Sequence, residues 1–576
     1  MTFSDLDHVN SVLKQTCSNV PNHHGTTEEK NLLDLHYMGT IKDSDQKKKE
    51  ADSEVSVLHK YIGIITICYF FSLFLIVNFL FHISYEENDD VVMGLIASGA
   101  YGNSPDYHLV FIHSLLGLIL SSFYHITTNT EFYTILMISL NVFSFAALSN
   151  VFLSLFLHKR LKIIMFLFFS TIFIYQLSVL QFTRTASFLA ISGIASVLFG
   201  KNKYTGGLLI LIGFLLRFHA AMLICLLSLP LSFYHLMMLR TAERLKKRIV
   251  FISLLVFVII LRLIDYMSYQ SSKEWSYYHE YNLVRGKLND NPNFVKAGVN
   301  LPKDFPENEY NLLESFLPNP VLVSYDKLKV LAEDVTQTPF LHKIQNIIMI
   351  LMYWFYFLVL GLCLLCLCLF FPKQRILITS LFLLNFFLLC YVSMDGTLKS
   401  RVFFSSFFAT LIFSLASVEG YKHKQNNLLF CIAGILVVVF LNLSIIGFNL
   451  NKINRKEFLK QNEMIKNYLS QSPGIIPFGA SYNIEYCDPF SFSSDFPTNK
   501  IFFGGWLTNI PFNTGRFDSF NYFVNNYAVL VNDEYVEKAS GLISKSIMAE
   551  TNVTVKPVVV LNKYGLSIIE FHTEAK

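Results

Sequence analysis

The chain has 576 residues, of which 53% are hydrophobic and only 15% are charged, and its formal net charge is +4. A mean hydropathy of +0.44 is far above that of a soluble domain, so the composition excludes an ordinary soluble protein. The basic residues occur in short clusters beside apolar runs, which is typical of membrane topology signals, and we expect no nucleic-acid partner. All cysteines except Cys17 and Cys487 lie in apolar runs, which excludes a disulfide framework in the polar segments.

The first 60 residues are mostly polar and include Lys47, Lys48 and Lys49. This pattern indicates a cytoplasmic, largely disordered tail. The apolar run 61–83 begins too deep in the chain and is too long for a cleaved signal peptide, so it predicts the first membrane crossing.

A membrane-spanning helix needs roughly 20 apolar residues, and twelve apolar runs are candidates. They are 61–83, 108–126, 132–157, 163–180, 186–200, 204–218, 220–239, 249–265, 343–371, 376–393, 402–418 and 427–448. The runs 186–200 and 204–218 are short, and if neither fully crosses, the count falls by two without changing the sidedness of the other loops.

The positive-inside rule decides which run to remove. If all twelve runs crossed from a cytoplasmic N-terminus, every short basic loop after residue 157 would lie outside, and removing one earlier crossing corrects all of them. The run 108–126 is the best candidate because it is rich in histidine and because the segment 84–131 has no Lys or Arg. We therefore predict an all-α polytopic membrane protein with about eleven transmembrane helices, in which 108–126 is an exterior juxtamembrane helix. The alternative is twelve crossings with the N-terminus outside, which would leave the tail lysines on the wrong face.

This topology assigns residues 61–448 to a transmembrane domain with two long exterior loops, 84–131 and 266–342. Residues 449–576 are then an exterior soluble α/β domain, because hydrophobicity falls and the periodicity changes there. Its predicted elements are a helix at 454–470, a strand at 527–531, a helix at 534–549 and a hairpin that joins 555–561 to 566–571.

The strongest cluster of chemically active residues follows the first crossing. Asp89 and Asp90 lie there, and Asp106 and His108 come after a loop rich in Gly, Ser and Pro. Such a loop can fold acidic groups against the protein instead of leaving them in water. For the neighbouring Glu86 and Glu87 we expect an ordinary solvated loop end.

In this order of elements the sequence resembles the GT-C superfamily, the polytopic glycosyltransferases that use sugars linked to polyprenyl phosphate. Asp89-Asp90, the run 108–126 and the run 132–157 with the basic end Lys159-Arg160 match the family's first exterior loop and second crossing. The match is one of architecture more than of motif, and the chain is also similar to bacterial envelope membrane proteins with no assigned reaction. The resemblance implies sugar transfer to a glycan, lipid or protein acceptor at the exterior face of a bacterial inner membrane.

The chemistry of such a transfer assigns roles to residues. An acceptor hydroxyl must lose a proton, so Asp89 or Asp90 is the candidate general base. The lipid phosphate that leaves gains negative charge, and cations at exterior helix ends would stabilise it. The candidate substrate-binding residues are Asp106, His108, Arg184, Arg217, His219, Arg285, Asp395 and Arg401.

Some of these residues have plainer explanations. Each Arg at a helix end can be a snorkelling anchor, and Asp395 with Arg401 can form a polar cap between two crossings. Arg285 follows Trp275, Tyr277, Tyr278 and Tyr281 in a helical stretch, which favours a position at the membrane interface over sugar stacking. Many GT-C relatives carry a further acidic residue where this chain has Gln181 to Thr185. We therefore predict no metal ligands and leave a divalent cation open. The sequence has no Gly-rich phosphate loop, so we expect no nucleotide cofactor.

Three alternatives stay open. The chain can be a polymerase or ligase of surface polysaccharide in which the exterior Arg residues carry catalysis. It can be a transporter, although its spans are almost free of the charged groups that transport paths use. It can also be an accessory protein of envelope biogenesis that binds partners through its C-terminal domain.

Overall fold

The computed structural model describes residues 61–102, 104–155, 158–200, 202–239, 241–289, 306–315, 325–336, 348, 354–395, 398–418, 426–479, 481–495, 500–513 and 527–574. This part of the chain is mostly helical and has a small mixed sheet near the C-terminus. The predicted tail 1–60 and parts of the predicted loop 266–342 lie outside the described residues. Residues Thr66–Lys576 form one compact unit.

The longer helices and the strands are numbered here in chain order. The helices of the first half are α1 Tyr61–Leu80, α2 Asn88–Ser98, α3 Ser114–Ile126, α4 Phe132–Leu155, α5 Lys159–Ser178, α6 Phe182–Phe199, α7 Lys203–Leu216, α8 Phe218–Leu227, α9 Leu229–Met238, α10 Thr241–Tyr269 and α11 Lys273–Asn289. The later elements are α12 Glu307–Glu314, α13 Tyr325–Thr336, α14 Trp354–Phe370, α15 Arg375–Asp395, α16 Ser400–Ser417, α17 Asn426–Gln471, β1 Ile475–Pro477, β2 Ala528–Asn532, α18 Val536–Thr551, β3 Val555–Lys563 and β4 Leu566–Thr573.

Eight of the described helices are long and apolar enough to cross a bilayer, so the chain is an integral membrane protein. They are α1, α4, α5, α6, α10, α15, α16 and α17. Helices α8 and α9 pass the same test together, as one span bent by 49°. The described residues thus give eight spans, or nine with the bent pair. Eleven would require the shorter apolar helices α7 and α14 to cross as well, and that number stays a prediction.

The run 108–126 does not form a helix of full spanning length. Helix α3 begins only at Ser114 and has 13 residues, so it is about 20 Å long, against a hydrocarbon core of roughly 30 Å. One face is exposed and apolar, with Leu118, Ile119, Phe123 and Ile126. The opposite face packs inward through Leu116, Leu120 and Tyr124. Because α7 is nearly as short, with 14 residues, length alone does not decide which of the two crosses. The removal of this crossing and the side of the membrane on which α3 lies stay predictions.

Contacts at the helix ends show that the bundle has two chemically different ends. At the acidic end, defined by Glu86 to Asp90, the starts of α4 and α6 meet Asp90 and the start of α16 meets Glu86. At the other end, Lys247 of α10 donates to the carbonyl of Leu198, near the end of α6. Helix α5 runs from Lys159 to Ser178, whose carbonyl accepts a hydrogen bond from Asn451 of α17 near the acidic end. The basic clusters at the starts of α5, α10 and α15 therefore lie at the end of the bundle opposite the acidic end. We call this the basic end.

Helix α6 lies at the centre of the bundle, and almost all of its side chains are buried. Phe188 contacts Phe145 of α4 and Phe408 of α16. On another side, α6 pairs closely with α7, because Gly193 and Gly206 lie so near each other's backbone that a Cβ at either position would be 2.7 Å from the opposite carbonyl oxygen. Small residues of this kind allow two helices to approach within a membrane. The central helix thus fixes the positions of the groups at its N-terminus, Phe182 to Arg184.

The C-terminal segment forms a four-stranded sheet in the order β1-β2-β4-β3. β1 is parallel to β2, whereas β4 is antiparallel to both β2 and β3. Helix α18 covers the sheet with Ile543 and Ile547, which are fully buried. The predicted strand, second helix and hairpin are confirmed. The two residues of the hairpin turn, Tyr564 and Gly565, both have positive φ, as a type I′ turn requires.

The predicted boundary at residue 449 falls inside a helix. Helix α17 runs without a break from Asn426 to Gln471 and so joins the last crossing to the predicted amphipathic helix 454–470. The α/β domain follows directly from this helix and lies at the acidic end, where the backbone N–H of Tyr85 donates to the Glu485 carbonyl.

Candidate functional site

The two aspartates lie in the first turn of α2, where the positive end of the helix dipole favours acidic residues. They occupy different environments. Asp90 is 0% exposed, and its Oδ1 accepts hydrogen bonds from the Tyr133 hydroxyl at 2.8 Å and the Phe182 backbone N–H at 3.1 Å. Burial raises the pKa of the Asp90 carboxyl well above its usual range, and the bond from Tyr133 opposes part of that rise. Asp90 thus connects α2, α4 and α6 from inside the protein.

Asp89 is only half-buried. Its Oδ1 accepts a hydrogen bond of 2.9 Å from the indole N–H of Trp506. Trp506 belongs to a short turn, Gly505–Leu507, in the C-terminal domain. Of the two aspartates, Asp89 is therefore the one that a molecule outside the protein can reach.

The arginine at the start of α6 is paired with an acidic residue of the segment 84–131, which we call the first loop. Arg184 is 2% exposed, and its Nε and Nη2 donate to the two carboxylate oxygens of Glu86 at 2.7 Å each. The Ser400 hydroxyl donates to the same carboxylate at 3.0 Å. The expectation of a solvated loop end is therefore wrong for Glu86. A phosphate could bind to Arg184 only if this bidentate pair opened.

Arg401 forms an ion pair with Glu87, next to the Glu86 pair. Arg217, at the end of α7, lies over the rings of Phe111 at 4.9 Å and Phe182 at 5.3 Å. The rings of Phe111 and Trp506 also contact each other in a T-shaped arrangement, with ring centroids 5.0 Å apart. Arg217 thus belongs to the same cluster as the two aspartates, because it shares Phe182 with Asp90 and Phe111 with Trp506.

Asp106 and His108 form a second, adjoining group. Oδ1 of Asp106 accepts from the His108 backbone N–H at 2.7 Å and lies 2.8 Å from Nδ1 of the same histidine. The imidazole stacks on Trp275 at 4.0 Å, and its Nε2 lies 3.3 Å from the Ser268 carbonyl oxygen. These contacts hold the first loop against α10 and α11, which is a structural role that the sequence prediction did not include.

The remaining predicted residues are His219, Arg285 and Asp395. His219, at the start of α8, is exposed. Arg285 bonds through Nε to Asn282 at 2.9 Å, about 15 Å along α11 from Trp275. The side chain of Asp395, the last residue of α15, lies outside the described part of the structure. Trp275, Tyr278 and Tyr281 are buried against the protein, so only the exposed Tyr277 is free to lie at a membrane interface.

The structure thus brings together Asp89, Asp90, Arg184, Arg217 and Arg401 at the acidic end. It adds Glu86, Tyr133 and Trp506, which sequence reasoning did not select. The one available signal was the rarity of tryptophan, since the chain has three in all and one follows Gly504-Gly505 in the polar C-terminal segment. Within the described residues, no three His, Cys, Asp or Glu side chains are arranged as a metal site.

In comparisons with protein-family models, curated proteins and solved structures, nothing matches this chain. The resemblance to the GT-C superfamily is therefore neither supported nor opposed by relatives. The geometry of the acidic end alone has to support any proposal of function.

Proposed function

We propose that this protein is a membrane glycosyltransferase that moves a sugar from a polyprenyl-phosphate donor to a glycan, lipid or protein acceptor. The observation that carries the proposal is the half-buried carboxylate of Asp89 in one cluster with Arg217 and Arg401, at the end of a membrane-spanning bundle. The reaction needs a base and a set of cations at the level where a lipid phosphate emerges from the bilayer. The proposal places this surface on the exterior side, because the basic clusters lie at the opposite end.

In the proposed reaction, Asp89 accepts the proton of the acceptor hydroxyl while the hydroxyl oxygen bonds to the anomeric carbon. The bond between that carbon and the phosphate oxygen breaks, and its electron pair leaves with the polyprenyl phosphate. Arg217, and Arg401 once its ion pair with Glu87 opens, would stabilise the negative charge that grows on the phosphate. Asp90 is an unsuitable base because it is fully buried and already bonded to Tyr133 and Phe182.

The test uses membranes from cells that express the chain, incubated with a panel of polyprenyl-phosphate hexoses and pentoses that carry a radiolabel in the sugar. We expect the wild-type chain to transfer label from one of these donors. Asp89→Asn keeps the shape of the side chain but removes the base, so transfer should fall by about 10² to 10⁴.

The matched control is Asp326→Asn, which changes an exposed aspartate on α13 outside the cluster and should leave the rate unchanged. Both variants must insert and melt like the wild-type chain. Full transfer by the Asp89→Asn variant would refute the proposal.

A further inference from the structure

Three distant parts of the chain meet at Trp506. Its indole N–H donates to Asp89 of the first loop, and its carbonyl accepts from the Tyr278 hydroxyl of α11 at 2.8 Å. Its ring also contacts Phe111, which precedes α3. Neither the predicted catalytic role of Asp89 nor the resemblance assigned any residue of the C-terminal domain to the site.

A second contact, close to Trp506, holds the same segment on the first loop. The Asn513 amide donates to the Tyr101 hydroxyl at 3.3 Å and to the Leu507 carbonyl at 2.8 Å. Phe512 lies against Gly102 so closely that a Cβ there would be 2.8 Å from its ring. Both ends of the segment 505–513 therefore contact the first loop. These contacts fix the position of Trp506 from more than one side.

We propose that Trp506 is a positioning residue for Asp89, so that the C-terminal domain completes the active site. The inference rests on the proposed function. An indole N–H is a donor only, so it binds the ionised carboxylate without competing for the acceptor's proton. The hydrogen bond from this rigid ring also limits the orientations of the Asp89 carboxylate. Among the described residues, Asp90 and Tyr133 interact electrostatically with Asp89.

The first test measures transfer by Trp506→Phe as a function of pH. Phenylalanine keeps an aromatic ring against Phe111 but has no N–H. Without that donor the ionised form of Asp89 is less stable, so the acid limb of kcat/KM should move up by about one pH unit. The plateau should fall about tenfold as the carboxylate loses its orientation. A profile that superimposes on that of the wild-type chain would overturn the inference.

The second test does not depend on activity and keeps Trp506 in place. Trp275→Phe with Trp354→Phe leaves Trp506 as the sole tryptophan, since the chain has three. Its fluorescence should titrate as the bonded carboxylate gains a proton, and Asp89→Asn should abolish that titration. The control is Asp488→Asn, because Asp488 pairs with Arg455 elsewhere in the domain, and it should preserve the titration.

An unchanged fluorescence titration in the Asp89→Asn variant would also overturn the inference, even if Trp506→Phe failed to fold. The two tests separate the two proposals. If Asp89→Asn retained full transfer but lost the titration, the proposed function would fail and the contact would stand. If Asp89→Asn lost transfer while Trp506→Phe kept the wild-type pH profile, only the positioning role would fail.

Discussion

One oxygen of Asp90 accepts two buried hydrogen bonds. Asp90→Ala removes this acceptor, whereas Asp90→Asn removes only the ability to ionise. Asp90→Ala leaves the Tyr133 hydroxyl and the Phe182 N–H without their acceptor, and each unsatisfied group costs about 1–3 kcal/mol. Asp90→Asn keeps an oxygen in that place. We therefore expect the alanine variant to lose more thermal stability than the asparagine variant, measured by unfolding in detergent.

The burial of Asp90 also predicts that the stability of the wild-type chain depends on pH in a way that the stability of Asp90→Asn does not. Because burial raises the pKa of Asp90 in the folded state, folding favours the protonated form, and that stability is present below the unfolded pKa of about 4. It is lost as pH rises through the folded pKa. Since asparagine does not titrate, the melting temperature of Asp90→Asn should rise relative to that of the wild-type chain as the pH is raised from 4.5 to 7.5. A constant difference across this range would contradict the assignment.

Residue identity was easier to predict than residue partnership. The acidic cluster and the arginines stood out because charges are rare in an apolar chain. Their pairing did not, because Arg184 and Glu86 are 98 positions apart and Trp506 and Asp89 are 417 apart. Nothing local in the sequence records which of several carboxylates an arginine will meet, and so Glu86 was expected to be solvated.

At the scale of elements, the Glu86–Arg184 pair joins the first loop to the start of α6. Removing one partner leaves the other charge buried and unpaired, which typically costs about 3–5 kcal/mol. We expect Arg184→Gln and Glu86→Gln each to destabilise the protein strongly. The double variant should cost clearly less than the sum, because the two residues form one interaction. Unfolding of the four proteins of this cycle measures the coupling.

The matched control for this cycle is Arg262→Gln. Arg262 also pairs with an acidic residue, Asp265, but its side chain is 52% exposed, so its loss should cost less than about 1 kcal/mol. Equal costs for Arg184→Gln and Arg262→Gln would show that the buried pair does not hold the loop.

The elements themselves were largely predictable, because hydrophobic runs of spanning length and β-branched runs around a glycine are strong local patterns. The exceptions have physical reasons. The run 108–126 splits because residues 106 to 113 take part in loop contacts, with Asp106 and His108 bonded to each other. Strand β1 was missed because it has three residues, Ile475–Pro477, which is too short for a visible period.

At the scale of the whole molecule, the opposition of the acidic and basic ends predicts sidedness. In a background without native cysteines, Asn129→Cys in the turn after α3 and Glu534→Cys in the C-terminal domain should react with a membrane-impermeant thiol reagent from the same side. Arg160→Cys at the start of α5 should react only from the other side. All three positions are exposed. Labelling of Asn129→Cys and Arg160→Cys from one side would refute the topology and, with it, an exterior active surface.

Helix α17 has 46 residues and is therefore about 69 Å long, of which the part after residue 448 makes up about 35 Å. The last crossing and the root of the C-terminal domain are thus one rigid rod. Transmembrane helices tilt when bilayer thickness changes, and a tilt of 10° would shift the distal tip of such a rod by about 6 Å, twice the length of a hydrogen bond. A change in membrane thickness therefore shifts the C-terminal domain relative to the first loop. The lipid in which the protein is reconstituted becomes an experimental variable.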